Sequence, residues 1–167
     1  MKHMYLFLVV VVACIVGLDQ YTKHLATVAL EGKEPIDVIN GFFQLRYAEN
    51  PGAAWSIFAG VSESIRIPFF IAIKSLAVVL MIWFYRKMAG ASRLMAWSLA
   101  VLVSGTLGNL ADRILHKNVV DFIRLYHGRF AWPTFNVADM AITAGVALMV
   151  MALFTEKPGE KPAAKPC

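Results

Sequence analysis

The sequence predicts a mainly α membrane protein: four transmembrane helices carrying a small β-sheet at one membrane surface. Three observations predict it. The apolar residues fall in four blocks rather than along the whole chain. Each block is continuous rather than alternating, which argues for helices and against a barrel, since only these two satisfy the backbone inside lipid. The connections after blocks one and three instead carry strand-like patterns bounded by turn residues. Composition agrees: the 167 residues are 59% hydrophobic and 16% charged, whereas a soluble domain is about half apolar and about a quarter charged.

The first span covers about 4–18, with an amphipathic continuation through Gln20 to Leu30. A first outer loop, about 31–64, follows. In it Phe43, Leu45 and Tyr47 alternate with Gln44 and Arg46 after an Asn40-Gly41 turn, which predicts a strand. Glu49-Asn50-Pro51-Gly52-Ala53-Ala54 should break that strand, and its small residues let backbone approach a ligand closely.

The second span covers about 65–85 and the third about 94–111. Each approaches the ~20 helical residues that a ~30 Å hydrocarbon core requires. Lys74 lies inside the second span, ~13 Å deep at ~1.5 Å per residue. It is expected to snorkel past Phe70 toward the level of Arg66, or to pair with an acid inside the bundle.

A second outer loop, about 112–136, holds Val119, Val120, Phe122, Ile123, Leu125 and Tyr126, then a His127-Gly128 turn. Phe130, Ala131 and Trp132 form a second extended stretch that Pro133 ends. Trp55 and Trp132 suit the interfacial zone. The fourth span covers about 137–154. Residues 1–155 thus form one membrane domain, and the Lys-, Pro- and Ala-rich tail at 156–167 is expected to be disordered.

Charge assigns the sides. Lys2 precedes the first span, Arg86, Lys87 and Arg93 fill the connection between spans two and three, and Lys157, Lys161 and Lys165 follow span four. Basic residues favour the cytoplasmic side, so both termini are expected inside. The net charge of +5 therefore reads as topology. The basic residues form no groove-sized patch with interleaved aromatics, which excludes a nucleic-acid partner. Cys14 and Cys167 lie at different levels, so no disulfide is expected. Neither His116 nor His127 stands at a metal-ligand spacing, and no metal or cofactor is expected.

Asp121 and Asp139 stand out, each at the edge of a hydrophobic stretch. A carboxylate there is expensive and usually has a task. Antiparallel spans would bring the two to one level, where mutual repulsion and desolvation separate their protonation states. One could then activate water while the other polarises a carbonyl and protonates a leaving nitrogen. The competing reading makes Asp139 a helix cap and Asp121 a solvated loop residue.

Other candidates carry similar pairs of readings. Asp19 and Lys23, four apart on one helix face, are either an internal ion pair or a substrate contact. Gly105, Asn109, Asp112 and Arg113 share one face of the third helix. The glycines read as packing, while Asn109 and Arg113 need polar partners.

Together these segments resemble the lipoprotein signal peptidases, bacterial signal peptidase II. The likeness rests on Asp19-Gln20-Tyr21-Thr22-Lys23, Asn50-Pro51-Gly52-Ala53-Ala54-Trp55-Ser56 and the stretch from Gly105 to Arg113. It rests most on Val119-Val120-Asp121-Phe122 and Phe135-Asn136-Val137-Ala138-Asp139. It covers nearly the whole chain except the tail.

The resemblance implies an aspartyl dyad of Asp121 and Asp139, cutting prolipoproteins before the diacylglyceryl-modified cysteine. It implies a bacterial inner-membrane enzyme with its site near the periplasmic face, beneath a periplasmic sheet and a short, mobile periplasmic helix. Asp19, Lys23, Asn50, Gly52, Asn109, Arg113 and Asn136 match positions that shape the family's site or hold substrate, and Gly105 is placed with them. Membrane lipid is the other expected partner, and the expected state is a monomer. Trp55 replaces a commoner phenylalanine, Thr106 replaces a small residue, and Lys74 belongs to no motif of the family.

Two other readings compete with this one. Val11-Val12-Ala13-Cys14 resembles a lipobox, which would make the chain itself a lipoprotein, but Ile15 to Leu18 continue the hydrophobic run where a polar tether should begin. A small transporter or channel subunit using Asp19, Lys23 and Lys74 would explain those residues but leave the loops idle.

Overall fold

A computed structural model describes residues 2–52, 62–90 and 92–155. Four long helices account for the four apolar blocks: α1 (Lys2–Leu30), α2 (Glu63–Met88), α3 (Arg93–His116) and α4 (Val137–Thr155). All four are long and apolar enough to cross a membrane. The least apolar, α3, has a mean hydropathy of 1.5 in its best window, yet 67% of that window is buried. It is therefore the central helix, and α1, α2 and α4 pack around it.

Close approach to α3 depends on small residues, as the sequence predicts for its glycines. A Cβ at Gly105 would collide with the Ala138 carbonyl oxygen and stand 2.9 Å from Ile142 Cγ1. One at Gly108 would stand 2.7 Å from Asp19 Oδ2. Away from the sheet, Leu8, Val11, Tyr85, Met95, Leu99, Ala100 and Ala152 form an apolar core. The buried Tyr85 hydroxyl donates to the Met4 carbonyl at 2.7 Å, satisfying the one polar atom the ring brings in.

Helix α3 begins with Ser92, whose hydroxyl accepts from the Met95 N–H at 2.8 Å. It ends at Lys117, whose φ of 66° is the left-handed conformation of a C-cap. The helix thus runs five residues beyond the predicted end at 111. The extra turn carries Asp112 and Arg113, both 2% exposed, and its polarity is met by Lys23 and Gln20 for Asp112 and by the Pro51 and Gly52 carbonyls for Arg113.

The sheet is antiparallel in the order β1 (Ile36–Ile39), β2 (Phe43–Asn50), β3 (Val119–His127), β4 (Phe130–Ala131). The predicted turns at Gly41 and Gly128 have positive φ values of 77° and 56°. Two details differ from expectation. Strand β1 was not anticipated, and β2 does not break at Glu49, because Glu49 pairs with Val120 and Asn50 with Val119. Phe122 docks the sheet onto Ala26 and Leu30 at the end of α1.

The sheet lies at the end of the bundle where α1 and α3 finish and α4 starts. Backbone bonds between Phe135 and Ile123 carry the chain from β3 into α4. Ala53, Ala54, Trp55 and Ser56 and the tail at 156–167 lie outside the described residues. The short helix expected from the resemblance is not among the described residues either.

Candidate active site

Asp121 is held by β3, opposite Ala48 of β2, and is 3% exposed. Its burial in a strand replaces the competing picture of a solvated loop residue. Asp139 is the third residue of α4. Asn136, fully buried just before that helix, touches both. Its side-chain nitrogen donates to Asp121 Oδ1 at 2.7 Å, and its backbone N–H donates to Asp139 Oδ2 at 3.3 Å. In return Asn136 Oδ1 accepts from the Asp139 N–H at 2.9 Å. This reciprocal pattern is a capping box, so Asp139 does serve the helix start, with one oxygen. Its other oxygen, Oδ1, accepts from Asn109 Nδ2 at 2.7 Å.

Asp121 Oδ2 accepts from Asn50 Nδ2 at 3.1 Å, which the extension of β2 through Asn50 makes possible. Burial pushes the Asp121 carboxyl up from the ordinary 3.8 to about 7, and the nearby Asp139 charge adds to the rise. The bonds from Asn50 and Asn136 and the positive charge of Lys23 only partly offset it.

Behind the two aspartates lies a buried charge cluster. Lys23 Nζ meets Asp19 Oδ2 at 2.7 Å, Asp112 Oδ2 at 2.8 Å and Asn109 Oδ1 at 3.1 Å, using all three of its donors. Asp19 Oδ1 accepts from the Ala138 N–H at 2.8 Å, one of the N-terminal donors of α4 that lack a helical partner. Gln20 Nε2 donates to Asp112 Oδ1 at 2.7 Å. Asp19 and Lys23 are therefore an internal ion pair that locks α1 to α3 and to the start of α4, and they stand outside the cavity lining.

Arg113 reaches the opposite side. Its guanidinium donates to the Pro51 carbonyl at 3.0 Å and to the Gly52 carbonyl, and lies 4.8 Å over the Phe70 ring. The Gly52 N–H donates to Asn50 Oδ1 at 3.1 Å. Arg113 and Asn50 thus fix the segment that leaves β2. A Cβ on Gly52 would meet its nearest neighbours, Arg66 and Phe70, only at 3.7 Å, so space alone does not demand glycine there.

Asp121 and Asp139 both line a cavity of about 590 Å³, with Asn50, Gly52, Asn109 and Arg113. Asn136, Gly105, Asp19 and Lys23 support it from behind. Three further residues contribute whose roles the sequence leaves open. Asp112 shares the helix face of Gly105, Asn109 and Arg113, and that spacing was its signal. Gln20 stands beside Asp19. Phe70 carried no signal in an apolar span. Lys74 lines the cavity too, half-buried.

Two carboxylates at one cavity, each hydrogen-bonded to the same asparagine, one buried with its carboxyl raised to about 7 and the other half-buried, can move a proton to and from a bound amide. Comparison with known proteins finds peptidases. A family model described as Signal peptidase (SPase) II matches residues 11–155. A lipoprotein signal peptidase of Desulforapulum autotrophicum is 42% identical over 86% of this chain and 88% of its own. One from Geobacter sulfurreducens is 40% identical over 97% of this chain and 100% of its own. Among solved structures, a bacterial membrane enzyme determined by the in meso method at 2.3 Å resolution superposes with a TM-score of 0.79 at 30% identity, covering 93% of this chain and 94% of that one.

Proposed function

The chain belongs to the signal peptidase II family, and from that premise we propose that it removes signal peptides from prolipoproteins with an aspartyl dyad formed by Asp121 and Asp139. The observation that carries this reading is the shared hold of Asn136 on both carboxylates at one cavity.

At neutral pH Asp121, raised to about 7, retains the shared proton for a large share of the time. Asp139 is then the anion that takes a proton from water as its oxygen attacks the scissile carbonyl carbon. Protonated Asp121 hydrogen-bonds the carbonyl oxygen as negative charge develops there. When the C–N bond breaks, Asp121 delivers its proton to the leaving nitrogen. The dyad again holds one proton, now on Asp139, and its return to Asp121 resets the site.

The substrate is a membrane helix ending in a diacylglyceryl cysteine, and cleavage falls just before that residue. Its lipid chains lie between the spans, in contact with membrane lipid. Arg113 and Asn50 hold the 50–52 backbone segment against the cavity, where the unwound peptide runs. The lysine and arginine distribution supports both termini being cytoplasmic, with the sheet and site on the periplasmic side of the bacterial inner membrane.

A transporter reading finds no support in these relatives, and its Asp19 and Lys23 are consumed in the buried cluster. Cys14 lies midway along an unbroken α1, within the segment matched to the peptidase family. Cleavage of a purified diacylated prolipoprotein, compared with its unlipidated form, tests the substrate assignment: the first should be cut and the second should not, and equal cleavage of both would overturn it.

A further inference from the structure

Lys74 is a cation in a membrane span that the mechanism above does not use. Helix α2 presents Arg66, Phe70 and Lys74 at successive spacings of four, on one face. Phe70 and Lys74 both line the cavity, and Phe70 carries the Arg113 guanidinium on its ring. Lys74 lies one turn further along the helix, ~6 Å at ~1.5 Å per residue. Among the described residues its ammonium makes no ion pair. A cation at such a position is costly without a nearby anion.

The charges within its reach come from three helices and the sheet. Arg113 and Asp112 approach from α3, Lys23 from α1 and Asp139 from α4, while Asp121 of β3 lines the same cavity. Arg113 and Lys23 repel it. Asp112 is already held at 2.8 Å by Lys23. Of the two cavity acids, Asp121 and Asp139, the second exerts the larger pull on Lys74, and among the described residues no lysine or arginine forms an ion pair with it. Its hydrogen bonds come from two neutral donors, Asn109 Nδ2 and the Asn136 N–H.

We propose that Lys74 is a positioning residue for charge: from the cavity wall on α2 it makes Asp139 the ionised member of the dyad and leaves the proton to Asp121. This deepens the dyad reading and rests on it. Burial already sets the two carboxylates apart, Asp121 being 3% exposed and Asp139 half-buried, and a water-activating base must be the anion at the moment of attack. An ammonium acting on Asp139 reinforces that difference.

The test compares Lys74→Gln and Lys74→Arg with the unaltered full-length enzyme, cutting a diacylated prolipoprotein in detergent from about pH 5 to pH 9. Lys74→Gln should move the acid-side limb of kcat/KM upward by about one pH unit, roughly a tenfold loss on that limb. Lys74→Arg should restore the limb. An unmoved limb in Lys74→Gln, whether KM rises or only Tm falls, overturns the proposal, because lipid contact or simple packing would then explain the residue. Activity lost at every pH in both folded variants also overturns it, because the ammonium itself would be indispensable. Asp139→Asn, measured alongside, separates the levels: full activity there removes the dyad itself, whereas an inactive Asp139→Asn beside an unmoved Lys74→Gln limb removes only the role of Lys74.

Discussion

Asn136 and Asp139 cap one another at the start of α4, the Asn136 N–H donating to Asp139 Oδ2 at 3.3 Å and the Asp139 N–H to Asn136 Oδ1 at 2.9 Å. The remaining Asn136 amide nitrogen is free to hold Asp121 Oδ1 at 2.7 Å. Helix initiation and dyad assembly therefore depend on one side chain. Asn136→Ala should cost about 1–3 kcal/mol through the lost cap and the buried groups left without partners. It should also lower kcat more than it raises KM. Thermal unfolding and steady-state kinetics on the same preparation check both. A stable variant with unchanged kcat would disconnect the cap from catalysis.

Asp121 gives a pH dependence with a definite sign. Its carboxyl is raised in the folded protein from 3.8 to about 7, so between those values the folded state binds more protons than the unfolded one. Its contribution to stability is present in full below the lower value and is lost as pH rises through the higher one. Asp121→Asn does not titrate there. The Tm of that variant relative to the unaltered enzyme should therefore climb steadily between about pH 4 and pH 7 and level off above. Parallel unfolding series in detergent would show this, and a constant difference would contradict it.

Lys23 balances two carboxylates, both buried. Lys23→Met should destabilise the fold by about 3–5 kcal/mol, because a buried charge cluster suffers most when one partner is removed. Asp19→Asn in the same chain should recover part of the loss, since the asparagine oxygen can still accept from Ala138 N–H. Equal Tm values for the single and double variants would place the cluster in contact with water.

Gly105 and Gly52 should respond differently to alanine. At Gly105 the added carbon meets the backbone of α4 directly, which cannot give way without moving Ala138 and the neighbouring Asp139. That overpacking should cost about 1–3 kcal/mol and reduce kcat. At Gly52 the nearest neighbours are 3.7 Å away, so Gly52→Ala should leave Tm nearly unchanged. Any activity it loses would then report contact with substrate. Measured Tm for the two variants decides the ranking.

Hydropathy made the four helices legible, because a span is a long, local signal. Alternation at Phe43, Leu45 and Tyr47 located β2 for the same reason. Strand β1 was not legible: Ile36 and its neighbours are exposed on an edge, and no buried face imposes a period on them. The last turn of α3 was hidden because Asp112 and Arg113 look like loop residues until their partners, distant in sequence, are known. Asp121 and Asp139 were legible as costly charges. The double engagement of Asn136 was not, since it depends on the approach of β3 to the start of α4.

The most direct measurement is cleavage of a diacylated prolipoprotein by the purified enzyme, by Asp121→Asn and by Asp139→Asn, with folding of each verified. Each single variant should lose about 10³-fold or more in kcat, and the double variant should be little worse than either, because the two carboxylates act as a unit. Substantial cleavage by either folded single variant would contradict the dyad.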